Sequence, residues 1–309
     1  MALIETRRRE VIPPPQSAAN AEPQRSLLHR VMRHVVPPAL YPTARIVVPR
    51  IQNMINTVAF LKQAYSPCRQ MQAPDNQFFN YPRYMHPTDL SALREGQYEN
   101  AEIRLMHSHF QPADLIVEIG ANIGVVARYA FLRKLNHNGT YVCIEPNRFA
   151  HKALRANMEL ARKQRPHNYF KIIQAALCAP GGTQGWAKFK ARRHLTSSLE
   201  GQVEIEGPQI TIRTPAKSFG QLMTPYAGKD VSLICDVEGA ELFMLRDPQG
   251  FTSVTQIMIE LHGPALTNRP DMSIDRMLKQ IEELGFETRA RRDNTFYLAR
   301  TVKVSDLTT

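Results

Sequence analysis

Absences narrow the reading before any motif does. None of the four cysteines, Cys68, Cys143, Cys178 and Cys235, stands in a C-x-x-C pair, so a redox dithiol or a thiolate zinc site is not expected. Cys143 and Cys235 fall in apolar strand-like runs, which reads as inert core thiols in a reducing compartment. No continuous apolar stretch follows Arg7-Arg8-Arg9, which argues against a secretory leader. The run from Ala44 to Ala64 is interrupted by Arg45, Pro49, Arg50, Asn53 and Lys62, whereas a spanning helix needs about 20 mostly uncharged residues. Acidic charge is scarce in the first 200 residues, with 27 Lys/Arg against 13 Asp/Glu, and the last 109 reverse this with 12 against 15. The net charge of +11 leaves an anionic glycan, a lipid surface or nucleic acid open as a partner.

What is present centres on Asp114 to Asn147. Leu115 to Ile119 is a short apolar run of the kind buried in a parallel sheet. The turn Gly120-Ala121-Asn122-Ile123-Gly124 leads into a helix over Val125 to Lys134, and a second strand, Tyr141 to Ile144, ends at Glu145-Pro146-Asn147. An acidic residue closing the second strand of a βαβ unit suits the vicinal hydroxyls of a ribose, and glycines in the first turn let a nucleoside approach the backbone. A dinucleotide fingerprint needs G-x-G-x-x-G. Here the spacing is Glu118-x-Gly120-x-x-x-Gly124 with Asn122 at the third place. An acid beside the first glycine repels a pyrophosphate but suits the cationic end of S-adenosylmethionine, which is the expected cofactor.

The remaining chain reads in order. Residues 1–25, with Pro13-Pro14-Pro15, suit a disordered basic arm. Residues 26–94 read as a helical extension and linker. Its segment 26–70 is a basic amphipathic helix pair parted by prolines, suited to packing on the main domain, to dimerising, or to lying on a membrane surface. The main domain is assigned to 95–303, with a helix from Glu102 to about Phe110. Past the central motif, Arg148 to Lys163 reads as helix and Tyr169 to Ile173 as strand, followed by the small residues Ala175 and Ala176, against which an adenine could lie. Residues 181–228 alternate apolar and polar residues like half-exposed antiparallel strands and form an insertion expected to recognise the acceptor. Val231 to Cys235 and Ile257 to Leu261 are further strands, Met272 to Leu284 a helix, and Gly285 to Ala299 a closing hairpin.

The separated motifs Glu118-Ile-Gly-Ala-Asn-Ile-Gly124, Glu145-Pro-Asn147, Asp236-Val-Glu-Gly-Ala-Glu241 and Gly96-Gln-Tyr-Glu99 together resemble the FkbM-type methyltransferases over roughly residues 95–300. The resemblance implies a Rossmann-like α/β fold, a mostly parallel seven-stranded sheet with an antiparallel terminal hairpin. It implies O-methylation of a sugar, polysaccharide or natural-product hydroxyl, with S-adenosylmethionine as donor. The expected cofactor contacts are Tyr98, Glu99, Glu118, Gly120, Ala121, Asn122, Gly124, Glu145, Pro146, Asn147, Ala175 and Ala176. A hydroxyl nucleophile must lose a proton, so Asp236, Glu238 and His262 are the catalytic candidates, the imidazole because it titrates near neutral pH. Arg192, Arg193, Ser197, Ser198 and Glu241 are the candidates for acceptor binding. Clustered acids and a histidine also admit a divalent cation, but without a fixed ligand spacing no metal is expected. Ile234 stands where relatives commonly have Lys, and Gly220 where they commonly have Asp. Two other functions stay open. The basic charge favours an RNA methyltransferase, although no RNA-binding module or amino-methylation loop is present. The other is a non-catalytic nucleoside-binding module.

Overall fold

The computed structural model describes residues 41–72, 78–181, 185–192, 198–199, 209–264 and 272–301. The arm at 1–25, the helix expected near 27–35, and Arg193 and Ser197 therefore lie outside the described residues. The chain divides into two units, 1–55 and 56–309.

The described part of the first unit is the start of helix α1 (Tyr41–Ala64). The expected break at Pro49 does not occur, because the helix continues through it. A proline removes one N–H from the ladder and crowds the carbonyl four residues back, weakening a helix by about 3 kcal/mol, and here the turns on either side still bridge it. Val47, Ile51, Met54, Ile55 and Val58 are exposed. Among the described residues, no helix is long and apolar enough to cross a membrane.

In the second unit a hairpin of β1 (Arg69–Gln72) and β2 (Phe78–Tyr81) precedes α2 (Pro87–Glu95) and α3 (Asn100–Ser108). Of the aromatics of this stretch, Phe79 and Tyr84 are buried and Phe78 is exposed. Phe79 is buried beneath the Arg128 guanidinium, 5.5 Å from the ring centre. Asn157 ties the hairpin down, accepting from Asn80 N at 2.7 Å and donating to Asn80 O at 2.9 Å.

The main sheet is built from β3 (Ala113–Ile119), β4 (Leu135–Ile144), β5 (Tyr169–Ile173), β10 (Val231–Cys235), β11 (Val254–Glu260), β12 (Phe286–Arg292) and β13 (Thr295–Arg300). Their order is β12-β13-β11-β10-β3-β4-β5, antiparallel at β12 and β13 and parallel elsewhere. Every residue of β10 is buried, as a strand covered on both faces requires. One face carries α3, α4 (Val125–Arg133) and α5 (His151–Gln164), through Leu105, Phe131, Leu154 and Met158. The other carries Phe219, Phe251, Met277 and Ile281. β4 begins six residues before the expected start. The side chain of Asn168 explains this, accepting from Asn138 N and donating to Asn136 O, so the loop lies along the sheet.

The segment between β5 and β10 forms a second sheet of β6 (Ala176–Leu177), β7 (Trp186–Arg192), β8 (Ser198–Leu199) and β9 (Gln209–Lys217), in the order β6-β9-β7-β8. It starts earlier than expected, since Ala176 and Leu177 already pair with the end of β9. Helix α6 (Phe219–Met223) closes it, started by a capping box between Ser218 and Gln221. Phe189, Ala191 and Ile212 of this sheet pack with Phe60, Tyr84 and Phe149.

The register places the site. Ile119 lies beside Cys235 on one side and Ile144 on the other, so β3, β4 and β10 end level. From β3 the strands are added outward in opposite directions, which makes the crevice between β3 and β10 the switch point where open α/β sheets bind ligands.

Candidate functional site

A cavity opens at this switch point. It is lined by Tyr98, Gly120, Asn122, Glu145, Pro146, Asn147, Ala175, Asp236 and Glu238, all expected site residues, and by Ile119, Leu177, Phe189, Val237 and Ala240. A smaller cavity adjoins it, sharing Gly120 and Asp236 and lined also by Glu99, Glu102, Glu118 and Glu260. Ala121 and Ala176 are buried in packing instead.

Glu145 forms one corner. Its Oε2 accepts from Asn122 N at 2.7 Å and its Oε1 from Asn147 N at 2.6 Å. Asn122 reaches this place through a left-handed backbone, φ 46, that asparagine tolerates better than most residues. Burial raises the Glu145 carboxyl to about 7, against the pull of those two N–H groups. A carboxylate held at both oxygens and lining a cavity is preorganised to accept further hydroxyl donors, as a ribose supplies.

The glycine turn does more than leave room for a ligand. Gly120 has φ +95, and a Cβ there would stand 1.7 Å from the backbone oxygen of Asp236. The glycine is thus first needed for the ends of β3 and β10 to close together. Gly124, φ +85, starts α4, and a Cβ there would meet Leu154 at 2.7 Å. Glu99 accepts from Val126 N in the first turn of α4, where a carboxylate is favoured. Glu118 accepts from Tyr141 Oη at 2.9 Å. Burial, opposed by that bond and reinforced by Glu145, pushes Glu118 up to about 8. Asn122 Nδ2 donates to the Tyr98 hydroxyl.

The opposite corner is acidic. Asp236 and Glu238 follow β10, Glu238 with a left-handed φ of 50, and His262 lies two residues beyond β11. His262 Nε2 is 3.4 Å from Glu238 Oε2, 4.0 Å from Asp236 Oδ1 and 3.9 Å from Glu260 Oε1. Its Nδ1 is 2.8 Å from Glu241 Oε1. Burial by itself would lower the imidazole pKa, but the bond to Glu241 and the surrounding carboxylates outweigh it and push it up to about 10. His262 therefore keeps its proton at neutral pH in this state and is poorly suited to accept another, contrary to the expectation from its ordinary titration. Burial, then Glu238 and Glu260, raise Asp236 well above the carboxylate range. Burial and Glu102 push Glu260 to about 8. Asp236 Oδ1 and Glu241 Oε2 are buried and accept no hydrogen bond among the described residues.

Glu241, expected to touch the acceptor, is fully buried. Its carboxylate is taken up by His262 and by the N–H of Gly239, so it positions rather than binds. Arg192 is buried at the end of β7, close enough for its charge to hold Glu238 down against burial. Ser198 pairs with Lys190 in β8. Phe189 and Leu177 were missed as lining residues. The alternation of β7 pointed to Phe189 as inward-facing, but nothing in one sequence says which neighbour an inward face meets. The departure at Gly220 has a local reason, since its N–H donates to Asp247 Oδ2 at 2.7 Å and a Cβ would lie 3.0 Å from Asp247 Oδ1. Ile234 is a core residue of β10.

The pocket fits the expected cofactor on its own chemistry, with a carboxylate at the ribose-type corner and, on the opposite wall, Asp236 and Glu238, acids suited to a cation. Residues 118–288 match the family model described as the methyltransferase FkbM domain. No curated protein matches the chain significantly. Among solved structures, a methyltransferase from Geobacter sulfurreducens is 14% identical with 70% of this chain and 87% of that one covered, TM-score 0.37. P. horikoshii TYW2 in complex with MeSAdo is 10% identical over 75% and 69%, TM-score 0.38. Precorrin-6y C5,15-methyltransferase from Geobacter metallireducens GS-15 is 12% identical over 65% and 87%, TM-score 0.32. Likenesses this distant decide nothing about activity, and the assignment rests on the family match.

Proposed function

We propose a hydroxyl-directed reaction for this chain, which belongs to the FkbM methyltransferase family and is an S-adenosylmethionine-dependent methyltransferase. The acceptor in this reading is the hydroxyl of a sugar, a polysaccharide or a related natural product. The observation that carries it is the cluster of Asp236 and Glu238 on the wall of the same cavity as Glu145. When bound, S-adenosylmethionine supplies a methyl group on a positively charged sulfur, to which the carbon–sulfur electron pair returns as the new carbon–oxygen bond forms.

The chain's own residues do the rest. Glu145 and Asn147 would hold the ribose, Tyr98 and Asn122 the flank of the cofactor, and Ala175 with Leu177 the face on which a flat base can lie. Asp236 and Glu238, both raised above the ordinary carboxylate range by burial, suit the proton that the hydroxyl gives up, since a base works best with a pKa near the operating pH. Protonated His262, fixed by Glu241, balances the charge of these acids. Arg192 beside Glu238 suits an anionic or hydroxyl-rich acceptor.

The test is transfer of a labelled methyl group to a panel of oligosaccharides, small polyols and RNA transcripts. Label on a saccharide hydroxyl supports the reading, and label on RNA alone replaces it with the RNA methyltransferase reading.

A further inference from the structure

Three ligand-type atoms converge on the acidic wall. One carboxylate oxygen each from Asp236 and Glu238 and a ring nitrogen of His262 all lie within 4.8 Å of one another. Glu241, fully buried, sits behind the ring with its Oε1 2.8 Å from Nδ1, which leaves Nε2 turned toward Asp236 and Glu238. Metal-binding histidines characteristically donate the other ring nitrogen to a carboxylate in this way. An independent observation points in the same direction. Asp236 Oδ1, the oxygen that faces His262 Nε2, and Oε2 of the buried Glu241 accept no hydrogen bond among the described residues, whereas buried polar atoms are normally satisfied. Further carboxylates, Glu260 and Glu102, stand nearby, so positive charge is called for in excess of what Arg192 supplies, and an ion on Nε2 would take the place of the proton that His262 holds in its absence.

We propose that Asp236, Glu238 and His262 bind one divalent cation, with Glu241 as the residue that orients His262. Two carboxylates and one imidazole suit a hard or borderline ion such as Mn²⁺ over a soft one. Three protein ligands also leave coordination positions to which an acceptor oxygen can bind. The ion's role in the reaction rests on the methyltransferase reading. There it would lower the pKa of the acceptor hydroxyl, a task otherwise left to the carboxylates alone. Its binding does not depend on that reading.

The experiment titrates the full-length, chelator-stripped chain with Mn²⁺, following the loss of the free-ion paramagnetic resonance signal, and titrates the same samples with S-adenosylmethionine. One saturable Mn²⁺ per chain is expected, lost in Glu238→Gln. Binding should be weakened about 10–100-fold in Glu241→Gln, which loses the carboxylate that orients His262, with wild-type circular dichroism in both. If Glu238→Gln does not fold, Asp236→Asn makes the same test. No saturable Mn²⁺ binding overturns the proposal, as does binding that survives both ligand substitutions unchanged, which would place the ion elsewhere. Cofactor binding without Mn²⁺ binding sinks the ion and leaves the methyltransferase reading in place. Mn²⁺ binding without cofactor binding does the reverse.

Discussion

The two corners of the cavity solve the same problem differently. Both place carboxylates where water is largely excluded. At Glu145 the chain supplies the donors itself, two backbone N–H groups at 2.7 and 2.6 Å, so the corner is complete as folded. At Asp236, Glu238, Glu241 and His262 one imidazole serves several acids, and two buried oxygens accept nothing among the described residues. The first corner has its donors built in. The second carries more acid than the donors around it satisfy, and its geometry holds because Glu241 and the backbone after β10 fix it.

That contrast can be broken first at the hinge between the corners. Gly120→Val puts a Cβ against the Asp236 carbonyl at a positive φ, and overpacking together with backbone strain should remove about 3 kcal/mol or more of stability. A thermal melt of the variant should show this, and a wild-type melt with only cofactor binding lost would mean that the glycine serves the ligand and not the fold.

Next is the acidic corner. His262→Ala leaves Glu241 buried without its partner, and breaking such a pair typically removes about 3–5 kcal/mol. Turnover should fall sharply while cofactor affinity changes little in whatever fraction folds. Denaturant unfolding and single-turnover methyl transfer read the two effects, and wild-type rates would remove His262 from the mechanism.

A gentler test uses pH. Glu118 and Glu145 have folded pKa values of about 8 and about 7, above the 4.5 ordinary for a glutamate. The folded state therefore binds more protons than the unfolded chain between these limits. Their contribution to stability is full below about pH 4.5 and is lost as pH rises through 7 and 8. The cofactor-free protein should melt at lower temperature at pH 8 than at pH 5.5, with a shallower slope in Glu118→Gln. An equal slope in that variant would show that Glu118 is not the group responsible. The smallest effect is expected outside both corners. Trp186 is exposed under Arg213 at 5.5 Å, and Trp186→Ala should change stability by about 1 kcal/mol or less and leave cofactor affinity unchanged.

Much of this was legible in the sequence, for identifiable reasons. Strands β3, β5 and β10 are short apolar runs bounded by turn residues, so their burial on both faces is written in their composition. The acids at the ends of β4 and β10 could be placed because strand ends are where a parallel sheet presents its loops. What could not be read was pairing across distance. Glu118 donates nothing to the sequence pattern that reveals Tyr141, and Glu241 looks like an acceptor contact until His262, from a different strand, is brought against it. The unbroken helix through Pro49 shows a further limit, because a local rule about proline gives a penalty and does not say whether the flanking turns outweigh it. The shift of His262 away from neutral pH is likewise a property of the carboxylates that the segment after β10 brings against it.

The central claim is that S-adenosylmethionine binds in the crevice between β3 and β10 with Glu145 as its ribose anchor. Calorimetric titration of the wild-type chain and of Glu145→Ala tests it most directly. The account predicts one cofactor bound per wild-type chain and at least about tenfold weaker binding in the variant, since hydrogen bonds to a charged group are worth about 1.5–3 kcal/mol. Equal affinity in the two proteins, or no binding by the wild type, would contradict it.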